Sequence, residues 1–145
     1  MNKNHQLISK YGYLMRDLYE YAKKNLQFED DCKLSFLENK KNSTEPLGKT
    51  AYYDTQQKKI YIYVTGRHIK DILRSLTHEL VHHTQNCRGD FIEIEKDSIS
   101  LTSEGYAQKN SILREAEREA YEAGNLIFRD WEDSMKANIK GVKNG

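Results

Sequence analysis

Residues 69–85 read IKDILRSLTHELVHHTQ, and this stretch decides the fold. Its apolar residues recur at three- and four-residue steps, a spacing that predicts an amphipathic helix with one buried side: Ile69, Ile72, Leu73, Leu76 and Leu80. His78 and His82 lie one helical turn apart, on a different side of the same helix. The sequence therefore predicts a helix that is buried on one side and presents two histidines on another.

The two histidines belong to an H-E-x-x-H pattern, His78-Glu-Leu-Val-His82. Positions i and i+4 share one face of a helix, so both imidazoles can reach a single metal ion. Glu79 follows His78 by about 100° around the helix, which places it beside such an ion rather than on it. A carboxylate there can take a proton from a metal-bound water. The pattern predicts a zinc site with Glu79 as its general base.

A third ligand is expected, because catalytic zinc takes three protein ligands and keeps one position open. The last predicted helix offers four glutamates, of which only Glu117 borders its apolar side; that side comprises Leu113, Ala120, Gly124, Phe128 and Trp131. Glu115, Glu119 and Glu122 lie about 140° to 160° away and are predicted to face water. A carboxylate beside a core needs a charged or metal partner. We therefore predict one zinc per chain, bound by His78, His82 and Glu117.

Gly124 supports this choice of ligand. It lies two helical turns after Glu117 and near the same direction, so it would let the two helices approach closely. A close approach favours contact between Glu117 and the two histidines.

The remaining segments predict an α+β fold. The predicted elements are a helix at 5–26, a weak strand at 33–37, a polar loop at 38–48, a hairpin of strands at 50–54 and 60–64, the histidine helix, a mixed segment at 86–105 with a short extended piece at Phe91–Ile94, a helix at 107–131 and a flexible basic tail at 136–145. The sheet is expected to be small and antiparallel. The 145 residues predict a single domain, 1–145.

Composition narrows the partners and the compartment. The chain has 23 basic and 22 acidic residues, a formal charge of +1, which gives no electrostatic case for binding nucleic acid or a membrane surface. Two cysteines are too few for a disulfide framework. We expect a cytoplasmic protein with no nucleic-acid or membrane partner. The sequence leaves its oligomeric state open.

The motifs resemble those of gluzincin metallopeptidases of the thermolysin type, in which an HExxH helix is followed by a helix bearing E-x-x-A-[D/N]. Here the second element reads Glu117-Arg-Glu-Ala120-Tyr121. Among small bacterial and phage members, the chain is similar to the ImmA/IrrE type and to HELxHxxQ domains, which the run from His78 to Gln85 matches. The resemblance implies a minimal zincin-like fold and a peptide substrate aligned along the edge strand of the hairpin.

One position departs from the family pattern. Tyr121 stands where an Asp or Asn would usually orient a histidine ligand, so that support must come from elsewhere. Tyr121 itself becomes a candidate for stabilising a developing oxyanion, although a core role is the plainer interpretation.

Other polar residues are weaker candidates. His83 falls on the buried side of its helix and is predicted to be structural, and Cys87 is not expected to bind the metal. His68 and Arg114 could contact substrate. Taken together, the motif and the resemblance predict a zinc-dependent endopeptidase. Two alternatives remain open: a catalytically inactive zinc-binding adaptor on a peptidase-like fold, and a partner-binding domain in which the HELVH run is accidental.

Overall fold

The computed structural model describes residues 3–39, 50–95 and 103–144. Its elements are α1 (Lys3–Leu26), β1 (Lys33–Leu37), β2 (Ala51–Asp54), β3 (Lys59–Tyr63), α2 (Ile69–Arg88), the single turn α3 (Ile92–Glu95) and α4 (Ser103–Asn144). This order confirms the α+β class. Parts of the predicted polar loop (40–48) and of the predicted mixed segment (96–102) lie outside the described residues, as does Gly145.

The three strands form one mixed sheet in the order β1-β3-β2. The predicted hairpin is confirmed, because β2 pairs antiparallel with β3. The turn is closed by Asp54, whose carboxylate accepts from the backbone N–H groups of Gln56 and Gln57. The expected antiparallel sheet is wrong for β1, which runs parallel to β3. Hydrophobic patterning predicts which residues form strands, but pairing depends on the path of the connecting segments.

Helix α2 lies at the centre of the molecule, in contact with α1, α4 and strands β2 and β3. Four of its predicted apolar residues are buried, which confirms its packing side: Ile72, Leu73, Leu76 and Leu80. Each such side chain contributes about 1.5–3 kcal/mol when removed from water. The helix ends at Gly89, whose φ of 87° is a left-handed conformation that glycine adopts without strain.

Helix α4 is longer than predicted at both ends. Its contacts explain the extension at the C-terminal end: Trp131 Nε1 donates to Asp17 Oδ2 over 2.7 Å, and Met135 packs against the core one turn later. The predicted end of this helix at 131 is therefore wrong, and residues 136–144 continue it.

The predicted extended piece near Phe91 is also wrong. Ile92–Glu95 forms a helical turn instead, and the N–H of Ile92 donates to the carbonyl of Gly89. Short apolar runs are ambiguous between strand and helix, so periodicity alone could not decide this segment.

Among the described residues, no helix is long and apolar enough to cross a membrane.

Candidate metal centre

The site is built where α2 and α4 cross, and Gly124 sets the distance between them. A Cβ added at Gly124 would lie 3.0 Å from the Cα and 3.1 Å from the N of His78. Backbone atoms cannot move aside as a flexible side chain can, so this crossing requires glycine. The predicted close approach of the two helices is confirmed.

The close approach brings Glu117 onto both histidines. His78 Nε2 lies 3.2 Å from one carboxylate oxygen of Glu117, and His82 Nε2 lies 3.0 Å from the other. One ligand atom from each of the three residues lies within 4.8 Å of the other two. Ligand atoms about 2.0–2.1 Å from a tetrahedral zinc ion are themselves about 3.3 Å apart. These three residues could therefore hold a metal ion, and their nitrogen and oxygen donors suit zinc among other divalent ions.

Glu117 differs from the prediction in its exposure. Its side chain is 65% exposed, so it is not a carboxylate buried in a core. Leu113, one turn before it, is also exposed. Among the side chains of α4 described from residue 109 on, burial of the apolar side begins at Ala116, where α4 contacts α2. Glu117 therefore meets the histidines from the solvent side of the crossing.

The other glutamates of α4 divide into two groups. Glu115 and Glu122 face solvent as predicted, and both pair with Arg118. The prediction is wrong for Glu119, which accepts from Gln85 Nε2 over 2.8 Å and from Arg88 over 2.7 Å. Its partners lie at the C-terminal end of α2, and wheel geometry on α4 alone could not reveal them.

Glu79 lies beside the group and is only 7% exposed. Burial raises the pKa of its carboxyl to about 7; the negative charge of Glu117 adds to the rise, whereas His82 opposes it. A carboxyl group with a pKa near neutrality can both accept and return a proton at physiological pH.

The two histidines of the group differ in their surroundings. Burial lowers the pKa of His78, with a further contribution from His82 and an opposing one from Glu117. His82 is more deeply buried, and its Nδ1 lies 2.8 Å from Gln85 Oε1. Gln85 thus contacts a histidine of the group, and the sequence analysis did not identify this contact. The signal was present, since the HELxHxxQ pattern places a glutamine three residues after the second histidine.

Two cavities flank the group. One, of about 380 Å³, is mainly apolar and is lined in part by Tyr52, Tyr53, Phe91, Ile94 and Leu113. The other, of about 750 Å³, is polar and is lined in part by Arg67, Asp71, Arg74, Ser75, Tyr121 and Asn125. Ala51, Glu79 and Glu117 line both. Tyr121 thus lies in the groove that contains His78 and Glu117, with its side chain exposed, and the core alternative is wrong for it.

The remaining candidates lie apart from the group. His83 is fully buried, with Nε2 2.7 Å from the carbonyl of Asp30 and Nδ1 2.7 Å from the hydroxyl of Tyr53, which confirms a structural histidine. Cys87 lies beside His83, with its sulfur 3.6 Å from Nε2.

His68 and Arg114, the weaker candidates for substrate contact, lie at other positions. His68 caps α2, because its Nδ1 accepts from the N–H of Lys70. Arg114 is exposed and is not among the residues that line either cavity.

Comparison with known proteins does not assign the chain to a family. The resemblance to gluzincin peptidases therefore stays a prediction from the motifs, and what the structure shows is a His/Glu group able to hold a metal ion. No family model, no curated protein and no solved structure matches the chain.

Proposed function

We propose that this protein is a zinc-dependent endopeptidase. The observation that carries the proposal is the convergence of His78 Nε2, His82 Nε2 and the Glu117 carboxylate within 4.8 Å. Glu79 adds to it, because its buried carboxyl lines both cavities beside this group. Three protein ligands with an open fourth position and an adjacent carboxyl are the parts that hydrolysis at zinc requires.

Each residue has a separate role. His78, His82 and Glu117 would hold Zn²⁺, which when bound polarises a carbonyl group and makes water a better nucleophile at neutral pH. Glu79 takes a proton from the attacking water and gives it to the leaving amine. A pKa raised to about 7 suits a group that works in both directions. Tyr121, which lines the polar cavity, would donate a hydrogen bond from its hydroxyl to the developing oxyanion.

The substrate would be an extended peptide bound along β2. Among the described strands β2 lies at the edge of the sheet, and the carbonyl of Thr50, directly before it, accepts from the N–H of Tyr63 over 3.0 Å. Hydrogen bonding alternates along antiparallel strands, so the N–H and C=O of Ala51 are directed toward the outer edge. Ala51 also lines both cavities. A peptide added there would run past Glu79 and place its side chains in one apolar and one polar cavity.

The test combines metal content with turnover. Protein purified without chelators should contain one zinc per chain and cleave a quenched-fluorescence peptide library, and chelation should abolish cleavage. Glu79→Gln should retain zinc and fold while hydrolysis falls by at least about a hundredfold, because glutamine keeps the shape but cannot take the proton.

Two outcomes would contradict the proposal. Zinc binding without turnover on any peptide or denatured protein would indicate the non-catalytic adaptor. Absence of zinc, even after zinc is added, would indicate that the motif does not bind metal.

A further inference from the structure

We propose that Gln85 is the positioning residue of the site: its side-chain amide, fixed between α2 and α4, holds the His82 imidazole with Nε2 toward the metal position. The inference rests on the metal-binding part of the proposed function and is independent of peptidase activity. Gln85 is fully buried, and its amide contacts His82 on one side and α4 on the other.

The orientation of this amide follows from its partners. Gln85 Nε2 donates to the carbonyl oxygen of Ala116 over 2.9 Å and to Glu119 Oε1 over 2.8 Å. A backbone carbonyl and a carboxylate both accept hydrogen bonds, so the amide nitrogen must be the group that faces them. The amide oxygen is therefore the group that lies 2.8 Å from His82 Nδ1.

The same reasoning fixes the proton on His82. An amide oxygen only accepts, so Nδ1 of His82 must carry the hydrogen of this bond. In a neutral imidazole the other nitrogen, Nε2, then has a free lone pair. Nε2 lies 3.0 Å from Glu117 Oε1, which is also an acceptor. Two acceptors at this distance need a cation between them, which is either a proton on Nε2 or a metal ion.

Glu119 is itself held in place, so the amide cannot easily turn over. Arg88 Nη2 donates to Glu119 Oε1 over 2.7 Å and to Asp90 Oδ2 over 2.6 Å. The contacts run from Asp90 through Arg88, Glu119 and Gln85 to His82. This network joins the C-terminal end of α2 to α4 and ends on a metal ligand. Groups that orient a metal-bound histidine typically contribute 10- to 100-fold to metal affinity.

Asn86 provides a matched control. It follows Gln85 on the same helix and also donates from its amide to two groups, the hydroxyl of Tyr53 and the carbonyl of Thr55. Those contacts lie on the His83 side of α2. Removing either amide breaks two inter-element hydrogen bonds, but only Gln85 touches a metal ligand.

The experiment measures zinc affinity by competition with a chromophoric chelator. Gln85→Met keeps the length of the side chain and removes both hydrogen-bonding groups, and zinc affinity should fall by about 10- to 100-fold. Asn86→Leu should lower stability but leave zinc affinity within about twofold of wild type, because it leaves the contacts of His82 intact.

A rescue and a spectroscopic measurement separate positioning from general loss of structure. The exchange Gln85→Glu with Glu119→Gln keeps an acceptor for His82 and a donor–acceptor contact between positions 85 and 119. It also turns a carboxylate oxygen toward the carbonyl of Ala116, so it should recover only part of the lost affinity. The ¹⁵N shift of the His82 ring in metal-free protein should show a protonated Nδ1 in wild type and in the double variant. In Gln85→Met that proton should be lost from Nδ1.

Each outcome of these measurements bears on the role of Gln85 or on the proposed function. Wild-type zinc affinity in Gln85→Met, or an unchanged Nδ1 proton in that variant, would overturn the proposal. If Gln85→Met fails to fold, the ring ¹⁵N shifts of wild-type His82 decide, and an Nδ1 without a proton there would overturn the proposal. A protein that shows the expected affinity pattern but cleaves no peptide would contradict the proposed function and leave the role of Gln85 in place.

Discussion

Helix α2 carries histidines on two sides, and the two sides differ in how the ring nitrogens are satisfied. On the core side, both nitrogens of His83 meet protein groups: Asp30 through Nε2 and Tyr53 through Nδ1. On the site side, His78 and His82 turn their Nε2 atoms toward the same carboxylate, that of Glu117. The first arrangement satisfies a buried histidine with hydrogen-bond partners inside the protein. The second brings together acceptors that a cation would join.

Titration alone would not distinguish the two sides. Burial lowers the pKa of His83 on the core side and of His78 on the site side. The physical cause is shared, because removing water disfavours the charged imidazole wherever the ring lies. What separates the sides is the chemistry of the neighbouring atoms. A candidate metal-binding histidine in this fold is recognised by the atoms it faces rather than by its pKa.

The largest effect is expected from removing the Glu117 carboxylate on the site side. Glu117→Ala should weaken zinc binding by about a thousandfold or more, equivalent to about 4 kcal/mol, because one of three protein ligands is lost. The stability of the metal-free protein should change little, since the side chain is 65% exposed. Glu115→Ala is the control, and loss of metal in that variant instead would show that the ligand is misassigned.

The next effect concerns pH and Glu79 in the metal-free protein. Its pKa of about 7 in the folded protein lies above the ordinary 4.5, so the folded state holds this proton more tightly than the unfolded state. The stability contributed by the protonated carboxyl is present at low pH and is lost as pH rises from about 4.5 through 7, by about 3 kcal/mol at most.

Denaturant unfolding of wild type and of Glu79→Gln, compared between about pH 5 and 8.5, isolates the effect, because Glu79 changes its charge within that range. The variant should gain stability relative to wild type as pH rises. His78 and His83, whose pKa values are lowered, act with the opposite sign below their ordinary pKa, but they are present in both proteins. A difference in stability that stays constant with pH would contradict the raised pKa.

A third prediction tests the crossing of α2 and α4, which brings Glu117 to the two histidines. Gly124→Ala places a methyl group 3.0 Å from the Cα of His78, so the helices must separate. We expect a loss of about 2 kcal/mol in unfolding free energy, together with weaker zinc binding. Gly12→Ala is the control, because nothing lies within 4 Å of the added group. That variant should be slightly more stable, since alanine favours helix.

The smallest effect belongs to the core side. Tyr53→Phe removes the hydroxyl shared by His83 and Asn86 and should cost about 1–2 kcal/mol of stability. Zinc affinity should be unchanged, because no atom of the metal group is involved. A clear loss of metal affinity would show that the two sides of α2 are coupled.

The local chemistry of the site was predictable from the sequence. Helical spacing alone puts His78 and His82 on one face and Ile72, Leu76 and Leu80 on another, and both assignments agree with the structure. The choice of Glu117 over the other glutamates of its helix also follows from spacing, because it depends on the phase of one helix. Properties that a single element fixes can be calculated from its own periodicity.

Properties that depend on two elements meeting could be known only from the tertiary structure. The parallel pairing of β1, the exposure of Glu117 and the contact of Glu119 with Gln85 each depend on where a second element lies. Helical phase gives the direction of a side chain but not the distance to its neighbour, which the crossing of α2 and α4 sets. By itself the sequence determined which residues could bind a metal; the packing of α4 on α2 decided that three of them converge and that Gln85, which contacts one of them, also contacts α4.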